Sequence, residues 1–344
     1  MNMGGSGGSG LSYSSSSEPP EDILDKKERE EKEAKQKKIA EENILASKVK
    51  EQEPILKQEF KKHIEKNKNN IPWDYNNHGE KHMENVVKNV DDVIKKYSEI
   101  SIVKENLNRD LSKLEIEILH ASAILHDIGR GDLEEKRHSV ASANLINKIK
   151  ELSPEIRDRV KQICLLHNKE GIESLGGNNL QDLVDKNKIS KETAFLARLL
   201  SNADALDAGK SRVMVNTQGE SRTEVMHRIE TSQKFSQSQK DMKLSHWNGH
   251  WGFSKPDVIT SDNHIGINIR MDENFAKNHP EVSHRISDLI YDFKKDAPKT
   301  KKNEISIILR GKDLNSIRTW FDQNKFILTR FAKESDFKIE KAED

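Results

Sequence analysis

The chain of 344 residues contains a single cysteine, Cys164. It can form no intramolecular disulfide and no zinc site built from several thiolates. Nothing in it reaches the roughly 18 consecutive apolar residues of a membrane-spanning helix, so no membrane span is expected. The opening stretch, MNMGGSGGSGLSYSSSS, places no apolar segment behind a basic one. That argues against a secretory signal and makes the cytoplasm the expected location. Net charge is also missing, since 58 Lys+Arg face 58 Asp+Glu. Global attraction to nucleic acid or anionic lipid is thereby removed, although local patches remain open. Hydrophobic residues make up 33% and charged residues 34%, so part of the chain should be solvated tail or charged helix rather than core. There is no internal repeat, no Walker-type phosphate loop and no Gly-x-Ser-x-Gly elbow, which leaves kinase-like and serine-hydrolase chemistry without support.

What is present divides the chain into four parts. Residues 1–20 are Gly- and Ser-rich and read as a flexible tail. Residues 21–70 are dense in helix formers of both charge signs and read as a charged helical arm. Its apolar positions begin at Ile39, Ile44, Leu45 and Val49, and its bland role is a solvated arm; the sharper one is a site for a protein partner. Over 71–215 the pattern is helical throughout. His82, Val86, Val90, Val93 and Tyr97 share one stripe of a helix at 79–97. An apolar run from Leu111 to Ile128 ends at Gly129, a natural helix stop. Further helices are expected at 138–151, 154–167, 179–186 and 190–209. In 216–344, HIGINIRMD (264–272) and EISIILRG (304–311) read as strands, with helices near 277–294 and 312–323, giving a smaller α+β region.

Histidines and aspartates recur at the ends of successive helices. His82 opens the 79–97 helix, His126-Asp127 close the apolar one, His138 opens the next, His167 ends the 154–167 helix, and Asp204 and Asp207 lie near the end of FLARLLSNADALDA. A lone helical histidine is more often a hydrogen-bonded core or surface residue than a ligand. A carboxylate directly after ASAILH is harder to dismiss, because a buried anion needs a partner or a metal. Four imidazoles and two carboxylates form a mixed nitrogen–oxygen set suited to Mn, Fe, Mg, Co, Ni or Zn.

The order His … His-Asp … His … His … Asp resembles the HD-domain metal-dependent phosphohydrolase superfamily. HDIGRGD carries its signature pair and NADALDA its closing aspartate segment, while RHSVASANLI and LLHNKEG are similar to members with extra metal-binding histidines, among them the HD-GYP phosphodiesterases. The resemblance covers about residues 75–215. It implies a mainly α fold, an HD helical bundle core. It also implies one or two divalent ions held by His82, His126, Asp127 and Asp204, with His138 and His167 completing a second site and Asp127 bridging. His78 is the rival of His82 as first ligand, and Asp207 is expected to orient a ligand or cap a loop. Asp127 and His126 become the catalytic pair, and Arg130, Lys210 and Arg212 the clamps for a phosphorylated small molecule, a nucleotide being the first guess. Arg137 flanks the same helix end. Asn168 stands where the HD-GYP pattern has a second histidine, and Ser174-Leu175-Gly176-Gly177 replaces its Gly-Tyr-Pro run. These departures weigh against cyclic di-GMP hydrolysis and a trinuclear site.

The expected activity is hydrolysis of a phosphate ester by metal-activated water. The rival enzyme class is an HD-type di-iron oxygenase; a rival of another kind is a nucleotide-binding regulatory or scaffold protein. HWNGHW (246–251) could suggest a second metal site or a base-stacking loop; it is expected to be a packed loop between domains, with closing over substrate as a further option.

Overall fold

Strong helix formers uninterrupted by glycine carry helix α1 through Pro20–Asn67. The computed structural model describes residues 20–132, 137–261, 264–296 and 305–342, so the tail expected over 1–20 lies outside the described residues up to position 19. The chain falls into two units, Met1–Leu45 and Ala46–Asp344. In the first, the helix is exposed along residues 25–41, and Ile39 and Ile44 stay in solvent. In the second, Ala46, Val49, Leu56, Phe60 and Ile64 share one stripe and are buried, as a helix burying one face requires.

Helix α2 (Glu80–Glu99) buries His82, Met83, Val86, Val90, Val93 and Tyr97. After α3 (Ile102–Leu107), a Ser112–Glu115 capping box opens α4 (Lys113–Leu125), which is buried along almost its whole length. Helices α5 (His138–Ile146), α6 (Pro154–Leu166), α7 (Lys169–Ser174), α8 (Leu180–Asp185) and α9 (Lys191–Ala205) follow, and α4 packs against α2, α6 and α9. Gly129 does not act as a left-handed stop, since its φ is not positive. A Cβ there would sit 2.2 Å from the backbone nitrogen of Ser142, and its own N–H donates to Ser142 Oγ over 2.9 Å. The glycine lets the turn after α4 lie directly on α5.

Capping boxes at Ser221–Glu224 and Ser236–Gln239 open α10 (Arg222–Thr231) and α11 (Gln237–Trp251). HWNGHW is thus the last turns of a helix, not a loop. The helix expected near 277–294 is two, α12 (Glu273–Asn278) and α13 (Glu281–Asp296). Pro280 separates them because it lacks a backbone donor and pushes His279 out of the helical region. Helix α13 packs on α9 and α11. Strands β1 (Asp257–Ser261), β2 (His264–Arg270), β3 (Ile305–Gly311) and β4 (Phe337–Lys341) form one sheet in that order. The β1–β2 pair is antiparallel; β2–β3 and β3–β4 are parallel, with Ile267 opposite Ile307 and Ile307 opposite Phe337. The second parallel connection runs through α14 (Leu314–Leu328), which packs on β3 and β4. The fold is mainly α with a small sheet, and no helix among the described residues is long and apolar enough to cross a membrane.

Candidate metal centre

Helix ends deliver the cluster. His82 lies in the first turn of α2, His126 caps α4 and Asp127 follows it, His138 begins α5, His167 caps α6, and Asp204 lies in the last turn of α9. The structure brings all six together. His78, on the loop before α2, joins them. Five imidazoles form a chain of neighbours, with ring centroids 5.6 Å apart for His78–His82, 5.1 Å for His82–His126, 5.3 Å for His126–His167 and 5.5 Å for His167–His138.

The protons on these rings are directed by their outer partners. His126 Nδ1 donates to the Ala123 carbonyl over 2.9 Å and His167 Nδ1 to the Cys164 carbonyl over 2.6 Å. His82 Nδ1 donates to Asp207 Oδ2 over 2.6 Å. In the neutral form of each ring the Nε2 lone pair is thereby left for the site, the arrangement that orients histidine ligands elsewhere. His82 Nε2 lies 3.2 Å from His126 Nε2, 3.4 Å from Asp127 Oδ2 and 3.3 Å from Asp204 Oδ1. Donor atoms sharing one ion at bonds of about 2.1 Å sit at comparable separations. On the far side, His138 Nε2 lies 3.4 Å from Asp127 Oδ1. Three groups of ligand atoms converge within 4.8 Å: His78–His82–Asp127, His82–His126–Asp204, and Asp127–His138–His167.

Asp127 is 1% exposed. Its Oδ2 accepts from Arg130 Nε over 2.6 Å, while its Oδ1 is buried and accepts no hydrogen bond. A buried carboxylate oxygen without a donor is costly, and a cation removes that cost. The residues present therefore fit a divalent ion.

Burial, opposed in part by Asp127 and Asp204, pushes the His126 ring down to about 4. Burial and the Arg130 charge push His138 down to about 3. Burial, with Arg130 and Arg212, also holds His78 well below its usual value. At His82, burial and Arg212 disfavour the cation, but hydrogen bonding to Asp127, Asp204 and Asp207 outweighs them and holds the ring up at about 9. Burial favours the neutral acid at both Asp127 and Asp204. It is overcome by Arg130 and His126 at the former, and by His82 and His126 at the latter, which keeps both carboxyls well below the usual range.

The expected clamps divide. Arg212, in the 3-10 turn Lys210–Val213, donates to Asp207 Oδ2 over 3.0 Å and lies 2.9 Å from His78 Nδ1. Arg130 is bonded to Asp127. Both line a cavity of about 570 Å³ that also reaches His78, His167 and Asp204. Lys210 does not line it: the 3-10 turn sends Arg212 inward, while Lys210 Nζ pairs with Asp272 over 2.7 Å beside the Trp251 ring. Arg137 is exposed and does not line the cavity either. Asp207 holds His82. Asn168 caps α7 and lies 3.2 Å from His138 Nε2.

Sequence reasoning singled out HWNGHW but read it as a loop, and it did not connect Arg285 with it as the opposite wall. His246 and His250, one turn apart on α11, and Arg285 on α13 line the same cavity. The Ser236–Gln239 capping box was the available signal for a helix there.

No curated protein and no solved structure matches the chain. The family model HD-CE matches residues 74–290, which contain every residue of the cluster and of the opposite wall. The chain belongs to the HD-CE family.

Proposed function

We propose that the chain is a metal-dependent phosphohydrolase acting on a small phosphate ester, with a nucleotide as its first candidate substrate. The observation that carries this reading is the buried Oδ1 of Asp127, which accepts no hydrogen bond and belongs to a carboxylate set among the ligand atoms of His78, His82, His138 and His167. His82, His126, Asp127 and Asp204 would hold one divalent ion, with Asp127 shared towards His138 and His167. Such an ion, when bound, polarises a phosphoryl oxygen and lowers the pKa of a coordinated water. The protein's own contribution is placement. Ala123, Cys164 and Asp207 fix the three rings, Arg130 holds Asp127 ionised, and Arg212 bridges Asp207 and His78 at the cavity wall. Positive groups already in place where phosphoryl charge develops need no reorganisation during reaction.

The test is phosphate release from a panel of mono- and diesters with Mn or Mg under anaerobic conditions. Turnover should be present in the native chain and lost in Asp127→Ala. Release that survives in Asp127→Ala at unchanged thermal stability would sink this reading, and turnover requiring both iron and oxygen would select an oxygenase instead.

A further inference from the structure

Helix α11 ends in His246-Trp247-Asn248-Gly249-His250-Trp251, a motif that the metal cluster does not use. Trp247 is core, its Nε1 donating to the Asp74 carbonyl over 2.8 Å. Gly249 is a contact point between helices: a Cβ there would lie 3.0 Å from Arg285 Cβ and 3.2 Å from the Glu281 carbonyl of α13. This close approach sets Arg285 beside the two histidines, whose rings are 4.9 Å apart.

The buried polar atoms of this wall that lack a partner are all donors, beside the carboxylate of Asp292, which lines the same cavity from α13. His250 is 2% exposed. Its Nδ1 accepts the Gly209 N–H over 3.3 Å, which places the proton of the neutral ring on Nε2, and that atom is buried with no partner. Asn76 Nδ2 donates to His246 Nε2 over 3.3 Å, so His246 carries its proton on Nδ1. The Nε–H groups of Arg285 and Arg212 are likewise buried without acceptors. An arginine offers donors and no acceptor, so it cannot ligate a metal. Three buried, unpartnered N–H groups on residues that line one cavity call for an acceptor-only ligand, an oxyanion, and guanidinium donors bind such groups most strongly. Tyr75 and the exposed Met242 line the cavity too and give apolar surface to an organic group.

We propose that Arg285, His246 and His250 form a second phosphate-binding subsite, distinct from the imidazole–carboxylate cluster in the same cavity. The favoured substrate is then a small organic molecule bearing at least two phosphate groups, such as a nucleoside diphosphate or a bisphosphate. One phosphate reacts at the cluster while the other is held by the α11–α13 wall. The identity of the reacting group rests on the hydrolase reading; the anion site rests on the donors alone.

Inorganic pyrophosphate is the probe, titrated calorimetrically into the full chain stripped of metal with EDTA. Binding is expected without metal, and Arg285→Ala and His250→Ala should each weaken it at least tenfold. Should either alanine variant unfold, Arg285→Lys and His246→Gln provide the same reading with less loss of volume, and each should weaken binding at least threefold at the native melting temperature. Native-like pyrophosphate binding in stably folded Arg285 and His250 variants, or no binding by the native chain, would overturn the subsite. Pyrophosphate binding that follows these variants while no phosphate ester is ever turned over would leave the subsite standing and remove the hydrolase reading.

Discussion

Asp207 Oδ2 takes the Nδ1 proton of His82 over 2.6 Å, and the same carboxylate is held by Asn85 through Oδ1 over 2.8 Å and by Arg212 over 3.0 Å. Aspartate 207 thus fixes both the tautomer and the ring plane of a proposed ligand without facing the ion itself. Removing such an outer partner costs about 10–100-fold in metal affinity elsewhere. Asp207→Ala is expected to weaken Mn binding by a comparable factor, read by calorimetry, with the other cluster residues unchanged. An affinity equal to that of the native chain would show that His82 is not a ligand or is oriented by other groups.

Asp127, like His82, belongs to two of the three convergent ligand groups, and it is the carboxylate of the pair. A ligand that binds only the folded state stabilises it by about 2.7 kcal/mol at a hundredfold excess over Kd. The native chain should therefore melt higher when Mn is added. Asp127→Ala should abolish that rise and retain no metal after desalting, as checked by calorimetric melting and elemental analysis. Full metal stoichiometry in the variant would place the ion elsewhere.

The six-residue cluster was legible because each member sits at a helix end that periodicity and stop signals already mark, as with His82 at the head of the stripe running to Tyr97. His246 and His250 were not legible in that way. Their helix buries Trp247, Gly249 and His250 and otherwise shows a polar face, so no apolar stripe announces it, and its two histidines align only once the capping box at Ser236 is taken as a helix start. Lys210 shows another limit. Adjacency to Arg212 in sequence does not fix direction, and a single 3-10 turn sends one side chain to Asp207 and the other to Asp272. Strands β1 and β4 are short edges, and β4 finds its register on β3 through a crossover that no local pattern encodes.

Stability should pass through a maximum with pH in the metal-free chain. His126 is held at about 4 and His138 at about 3, chiefly by burial, against an ordinary value of about 6.5. Between about pH 4 and pH 6.5 the unfolded chain binds more protons at these positions, so stability is lost as pH falls through that window. His82, raised to about 9, acts in the opposite sense. Its contribution is complete below about pH 6.5 and is lost as pH rises to about 9, at a slope of up to about 1.4 kcal/mol per pH unit. Denaturant melts across pH 4–9 check both arms, and His82→Gln should flatten the alkaline one. An alkaline slope unchanged in that variant would assign it to another group.

Gly129 offers the strictest test of how the fold builds the centre. Its added Cβ would meet the Ser142 nitrogen at 2.2 Å and the carbonyl carbon and Cβ of Ala141 at 2.6 Å. These are the first turns of α5, whose first residue is His138. Two backbone atoms cannot yield as a flexible side chain can, so either the turn carrying His126 and Asp127 or the helix carrying His138 must move. Overpacking of this kind costs about 1–3 kcal/mol and occasionally more, and the displacement falls between the two halves of the Asp127–His138–His167 group. Gly129→Ala is therefore expected to lower stability by at least that amount and, in the fraction that still folds, to reduce bound metal. Gly219, where an added Cβ meets nothing within 4 Å although its φ is +87°, is the control: Gly219→Ala should show backbone strain without loss of metal. Equal metal content in the two folded variants would mean that the contact between the turn and α5 does not position the site.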